Sequence, residues 1–187
     1  MELFIDTETS GKFDFKSSYK KDTQPWICQI ALILSDKDYI FAQACFLIES
    51  EGRRIHKDAY DVHKITTGMC DKSGIMESTA CYMFLEALHC CDVIVAHNVN
   101  FDRNMVCNLL YRNDFESEAE YLLSFDSYCT MEESTDMLKL PGKFGRYKWP
   151  KLDELYHHLF KEHIEGAHDA LVDTKAMRRC YYEIKGS

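Results

Sequence analysis

The sequence predicts an α/β fold built on a mixed sheet, and three observations carry that expectation. Strand-like apolar runs come first, at residues 3–5, 26–34 and 39–48. The short links between them suit an antiparallel meander. Beyond residue 78 the pattern turns to helix and strand in alternation, which lays helices over a sheet that also holds parallel strands.

The first run turns acidic and stops at a glycine, Leu3-Phe4-Ile5-Asp6-Thr7-Glu8-Thr9-Ser10-Gly11. Side chains in a strand repeat every second residue, so Asp6 and Glu8 share one face about 7 Å apart. Such a pair on a rigid element suits one or two hard divalent cations. An acidic chain also makes such pairs by chance, as Glu118-Ala119-Glu120 nearly shows. A polar stretch from Lys12 to Gln24 and then Pro25 lead to the second strand, which ends at the turn-prone Ser35-Asp36-Lys37-Asp38. The third strand, 39–48, is rich in aromatic and β-branched residues.

Residues 50–75 read as charged and irregular, punctuated by Gly52, Gly68 and Gly74, and they contain Val62-His63-Lys64-Ile65-Thr66. Ser78 is the expected N-cap of a helix to about Cys91, with Met83, Phe84, Leu85 and Leu88 as its apolar positions. An apolar strand at 93–96 runs into His97-Asn98-Val99-Asn100-Phe101-Asp102, and a helix follows to about Tyr111. A further strand is expected near 122–128, then a helical turn after Met131. The stretch 139–151 holds Lys139, Lys143, Arg146, Lys148 and Lys151, no acid, and Phe144, Tyr147 and Trp149. Pro141, Gly142, Gly145 and Pro150 keep it out of helix and strand. Residues 152–160 read as a helix, and a last helix starts around Asp169.

A chain of 187 residues is expected to form one domain, 1–187, large enough to bury a core without disulfides. Its net charge of −9 argues against a protein that coats nucleic acid through its bulk field. An enzyme that grips a few nucleotides is compatible with it. Nine cysteines with no C-x-x-C point to reduced thiols in an intracellular compartment, whether cytoplasm, nucleus or nucleoid. No apolar run approaches the roughly 18 residues of a membrane span, and no signal peptide is expected.

Asp102 sits just past the C-terminal end of a strand, where ligand groups gather in open α/β sheets. Its plainer role is to charge a helix N-terminus. In His168-Asp169-Ala170-Leu171-Val172-Asp173, the histidine falls in a lead-in after Gly166 and Asp173 in the first turns of the helix. A loop histidine can swing to a water beside a metal that a helical aspartate holds. Four such carboxylates in one place repel one another strongly without a cation.

Taken in order, Asp6-x-Glu8, His-Asn-x-x-Phe-Asp102 and His168-x-Ala-x-x-Asp173 resemble the DEDDh branch of the DnaQ-like 3′→5′ exonucleases, in the RNase H-like superfamily, over nearly the whole chain. That group includes polymerase proofreading subunits and RNA-trimming enzymes. Val62-His63-x-Ile65-Thr66 is similar to the segment between the family's first two motifs, and Phe125-Asp126-Ser127 stands where a further acidic strand position is expected. The resemblance implies an RNase H-like mixed sheet flanked by helices. It implies Asp6, Glu8, Asp102 and Asp173 as ligands of two Mg²⁺ or Mn²⁺ ions, with His168 as general base. It implies that Thr9, Val62, His63, Ile65, Asn98 and Phe101 line the pocket for a terminal nucleotide. Three positions depart from the pattern: Lys64 where glycine is frequent, Asp169 where a basic residue is frequent, and Ser10 where threonine is.

The implied activity is release of nucleoside monophosphates from single-stranded or frayed 3′ ends of DNA or RNA, DNA slightly favoured, in proofreading beside a polymerase or in trimming. The alternatives are an RNA-trimming exoribonuclease, a catalytically silent binding subunit of a polymerase assembly, and an RNase H-like endonuclease. A zinc protein built on Cys90, Cys91 and His97 is the weakest reading, because vicinal cysteines suit tetrahedral coordination poorly. Apart from the resemblance, Lys143, Arg146 and Lys148 are expected to hold nucleic acid upstream of the cleaved end. The alternative for that stretch is a solvated loop whose aromatics dock on the core.

Overall fold

The computed structural model describes residues 1–186. Its sheet has five strands in the order β3-β2-β1-β4-β5, where β1 is Glu2–Thr9, β2 Ile27–Ser35, β3 Ile40–Leu47, β4 Val93–Ala96 and β5 Ser127–Cys129. The first three strands pair antiparallel; β4 lies parallel to β1 and β5 parallel to β4. This is the mixed sheet that the sequence predicts. β1 and β2 sit inside the sheet and are mostly buried, β2 almost wholly apolar and β1 apolar in its first half, whereas β3 is an edge with a more exposed face.

The two faces of β1 recruit different helices. Phe4 is fully buried and its ring meets Tyr181 and Tyr182 at 5.3 and 5.7 Å between centroids. Those tyrosines belong to α8, Ala170–Gly186, so the alternation that turns Phe4 toward α8 also turns Asp6 and Glu8 to that side. On the other side, Thr7 reaches α4, Val99–Arg112, through a hydrogen bond to Asp102.

Residues 50–75, expected to be irregular, contain two short helices, α1 (Lys57–His63) and α2 (Thr67–Ser73). Each spans two turns and buries few residues, so its apolar period is too brief to read. Thr66 caps α2 by accepting the Met69 N–H at 3.1 Å. Gly74 closes it where a Cβ would come within 2.4 Å of the Cys70 carbonyl oxygen and 2.5 Å of the Glu49 nitrogen, so no other residue fits without movement.

Helix α3, Glu77–His89, starts one residue before the expected Ser78 cap, and Met76 precedes it with no side-chain cap. Tertiary ion pairs set this start: buried Glu77 accepts from Arg53 at 2.7 Å and from Arg112 at 2.6 Å. The strand expected at 122–128 is shorter. Residues up to Ser124 belong to α5, Glu116–Ser124, because Ala119 and Leu122, three apart, both bury on one helix face. Helix α6, Thr130–Leu138, follows β5 directly, and α7, Leu152–Phe160, lies where the sequence places it. Asp126 precedes β5 at the end of the sheet where β1 and β4 begin, away from Asp6 and Glu8.

All nine cysteines are free. Among the described residues, no helix is long and apolar enough to cross a membrane.

Candidate active site

The C-terminal half of β1 gathers four carboxylates. Asp6 is raised well above its ordinary value by burial, then by the charges of Asp102, Glu8 and Asp173. Burial first, then Asp173 and Asp102, push Glu8 from 4.5 to about 8. Asp102, 2 % exposed, is pushed from 3.8 to about 7 by burial, against the opposing pull of the Thr7 hydroxyl that donates to its Oδ1 at 2.8 Å. Burial also raises Asp173, in the first turn of α8. Groups lifted by one another's charge share one small volume, and cations are the chemistry that relieves such a cluster.

His168 joins them from the segment ahead of α8. It is exposed, with left-handed backbone (φ 72°), and its N–H donates to Asp173 Oδ2 at 3.0 Å. Ligand-type atoms of Glu8, His168 and Asp173 all lie within 4.8 Å of one another. Two carboxylate oxygens and an imidazole nitrogen at that spacing, with Asp6 and Asp102 alongside, are a donor set that fits hard divalent ions. No comparable group of the Cys90, Cys91 and His97 side chains forms among the described residues. His97 is spent elsewhere: its Nε2–H donates to the Pro150 carbonyl at 3.0 Å, its Nδ1 lies 3.0 Å from the Thr130 hydroxyl, and burial pushes it down to about 4.

Beside Glu8 opens a cavity of about 620 Å³. Thr9, Val62, His63 and Phe101 line it, with Trp26, Arg54 and Lys12. His63 is buried, and burial lowers its pKa. Its Nδ1 accepts the Ile65 N–H at 3.0 Å, which leaves the proton on Nε2 to face the Thr9 carbonyl at 3.2 Å. The end of β1 is thereby fastened to α1.

Two expected pocket residues lie off the cavity wall. Ile65 packs into a small separate core with Trp26, Cys28 and Cys70, and serves the site by holding His63. Asn98 takes the left-handed conformation (φ 79°) that starts α4 and makes no cap bond there.

Lys143, Arg146 and Lys148 lie on an exposed stub outside the cavity. Its arms meet where Gly142 N–H donates to Arg146 and Lys148 N–H to Leu140, and Phe144 at its tip is 98 % exposed. Those aromatics do not dock on the core: Tyr147 and Trp149 are exposed as well. Lys148 is paired with Glu154, so Lys143 and Arg146 are the cations left unpaired among the three. The His97–Pro150 bond roots the stub beside the start of α4.

Sequence reading missed two contributors and named a third only as a departure from the family pattern. Thr7, between the two acids of β1, holds Asp102. Gln29 stands opposite Glu8 in the β1–β2 register; its Oε1 accepts the Ala170 N–H at 3.1 Å and so seats α8. A lone glutamine in an otherwise apolar strand was the available signal. Asp169 is the third: its Oδ1 accepts the N–H groups of Leu171 and Val172, both at 3.1 Å, so it caps α8 in the manner of an Asp N-cap.

The sequence model of a family described as Exonuclease (RNase T) matches residues 3–181. The chain belongs to this exonuclease family. It is the DEDDh group of the RNase H-like superfamily, as the motifs imply. Among solved structures, E. coli Exonuclease I in complex with a dT13 oligonucleotide is similar at 18 % identity and TM-score 0.75, over 98 % of this chain and 40 % of that one. The zinc-bound form of an E. coli Exonuclease I–ssDNA complex gives 19 % and 0.76, over 99 % and 40 %. A product-bound exonuclease I gives 19 % and 0.72, over 99 % and 43 %. At such identities the likeness establishes the fold, and the exonuclease described here spans about 40 % of the length of those chains. No curated protein matches it in sequence.

Proposed function

We propose that residues 1–187 form a single exonuclease domain that removes nucleoside monophosphates from the 3′ end of single-stranded nucleic acid, DNA slightly favoured. The convergence of Asp6, Glu8, Asp102 and Asp173, with His168 close to two of them, carries this reading. The neighbours solved with dT13 and other single-stranded DNA support the choice of substrate. Nine free thiols support a reducing compartment.

The four carboxylates would hold two Mg²⁺ or Mn²⁺ ions. When bound, such a pair supplies Lewis acidity toward the scissile phosphate and its attacking water. The protein's own groups do the rest. Phe101 and Val62 flank the cavity and take the terminal sugar and base, with Thr9 at its floor held by His63. Stacking on an aromatic ring tolerates any base, at about 1–3 kcal/mol each, so little sequence preference is expected. A ring nitrogen of neutral His168 takes the proton of the attacking water. The P–O3′ bond breaks, the shortened strand keeps a 3′-hydroxyl, and the released nucleotide keeps the 5′-phosphate. Lys143 and Arg146 grip the strand upstream, with Lys148 in a lesser part.

The test is digestion of matched 5′-labelled DNA and RNA oligomers in Mg²⁺, with Asp6→Ala as control. A one-nucleotide ladder that vanishes in the variant is expected, faster on DNA. Equal rates on both oligomers would remove the DNA preference, and an intact substrate would remove the activity. Internal cuts in a circular strand would point to an endonuclease instead.

A further inference from the structure

The segment that carries His168 runs from the end of α7 to the cap of α8, and its middle is fastened by a side chain outside the active site. Asp153, in the first turn of α7, uses both carboxylate oxygens on it. Oδ1 accepts the Ile164 N–H at 2.9 Å, and Oδ2 accepts from His163 Nδ1 at 2.8 Å. The His163 ring then stacks on His157 of α7, 4.5 Å between centroids and 12° between planes. The Ile164 N–H and the His163 contact hold the Asp153 carboxyl below its ordinary range, so it is the ionised acceptor that makes both bonds.

Beyond that clasp only residues 165–168 remain before Asp169 caps α8. Two of those four, Gly166 (φ 77°) and His168 (φ 72°), are left-handed. The path is therefore short, tightly turned and fixed at both ends. Without the clasp the arc from α7 to the Asp169 cap runs over eight residues, 161–168, tied at Glu162, which accepts from Arg179 at 2.8 Å; with it, His168 sits on a four-residue arc and returns to the same place. Misplacing a proton acceptor by about 1 Å can cost on the order of a hundredfold in rate.

We propose that Asp153 is a positioning residue: by clasping Ile164 and His163 it shortens the loop that presents His168 to the carboxylate cluster. This rests on the reading of His168 as the general base. Nothing in the sequence motifs marks Asp153, which lies 15 positions before His168.

The experiment compares His168→Ala, Asp153→Ala, Asp153→Asn and the double variant Asp153→Ala/His168→Ala in the full chain. Steady-state kinetics are read on 5′-labelled oligo-dT in Mg²⁺, and binding of the same oligomer in Ca²⁺ is read by fluorescence anisotropy. Asp153→Ala should lower kcat about ten- to hundredfold, with KM and anisotropy unchanged. Asparagine keeps the Oδ1 acceptor for Ile164 and should recover most of the loss. The double variant should be no slower than His168→Ala, since a clasp acts only through the residue it places.

The outcomes separate the two claims. If His168→Ala is itself fully active, the general-base reading fails. If His168→Ala is slow while Asp153→Ala is fast, the clasp fails alone. An additive double variant, or an asparagine as slow as the alanine, would show that Asp153 acts by its charge, which also reaches Asp173; either overturns the proposal. Should Asp153→Ala not fold, His163→Ala removes one arm of the clasp and must show a smaller kcat loss of the same pattern, or the proposal falls.

Discussion

Replacing Glu8 by glutamine should stabilise the metal-free protein at alkaline pH, although it removes a proposed catalytic group. Burial and the charges of Asp173, Asp102 and Asp169 raise Glu8 from 4.5 to about 8. A folded-state pKa above the unfolded one means that the native state binds the extra proton. Its stability is full below about pH 4.5 and is lost as pH rises through 8. At 1.36 kcal/mol per pH unit, the gap is worth about 5 kcal/mol in full. Of that, about 4 kcal/mol lies between pH 5 and pH 8.5. Glutamine cannot ionise, and Glu8 accepts no hydrogen bond among the described residues that glutamine would forfeit. For a domain near this size 1 kcal/mol moves Tm by about 2–4 °C, so the variant should melt roughly 10 °C higher at pH 8.5 and nearly alike at pH 5. The assay is thermal unfolding in EDTA at both pH values, followed by Mn²⁺. Added Mn²⁺ should raise the parent strongly at pH 8.5 and the variant little. A parent that melts at or above the variant at pH 8.5 without metal would mean that the carboxylates do not crowd one another, and the argument for a cation site would lose its footing.

Three further outcomes follow from other parts of the structure. Replacing Lys143, Arg146 and Lys148 together by alanine should weaken oligonucleotide binding and lower the salt slope by about 1.4–2, at roughly 0.7 per phosphate contact on a single strand, the lower figure if Lys148 stays with Glu154; an unchanged slope in a fluorescence titration would make the stub a bystander. Lys64 has left-handed backbone (φ 61°) at the end of α1, so Lys64→Gly should raise stability in urea by about 0.5–1 kcal/mol, and a loss would show that the lysine's packing over Tyr60 outweighs the strain. Glu77→Ala strands Arg53 and Arg112 without their buried acceptor and should cost about 3–5 kcal/mol by the same titration, whereas a cost below about 1 kcal/mol would mark the pairs as solvated.

How much of this was legible in the sequence depends on how far each feature reaches. The acids of β1 were legible because a strand's period is two and local, so Asp6 and Glu8 must share a side wherever the strand packs. Helix α7 was legible for a similar reason: turn residues precede it and its apolar spacing is regular. Helices α1 and α2 were not, since two turns supply too few repeats to rise above a charged background. Residues 122–124 read as strand because Leu122 and Leu123 are adjacent, yet α4 buries one and leaves the other exposed. Within the site, residue types announced themselves where chemistry is unusual, as with His168. Supports did not. That Ile65 turns away from the cavity and that Thr7 holds Asp102 depend on partners distant along the chain, whereas Asp169 caps α8 through its near neighbours Leu171 and Val172.

The placement of the cluster follows from ordinary packing. Phe4 docks α8 by its ring, Gln29 seats the first peptide of that helix, and Thr7 draws in α4, so Asp173 and Asp102 reach β1 on helices positioned by neutral groups. None of these contacts requires a favourable interaction among the acids, whose mutual terms are repulsive. The apolar core therefore holds together charges that would otherwise separate, and the strain surfaces as raised pKa values rather than as a displaced helix. A site assembled in this way is in place before a cation arrives. By the same division, neutralising any one of the acids should leave the fold intact, while loss of Phe4 or Gln29 should move α8 and scatter the cluster.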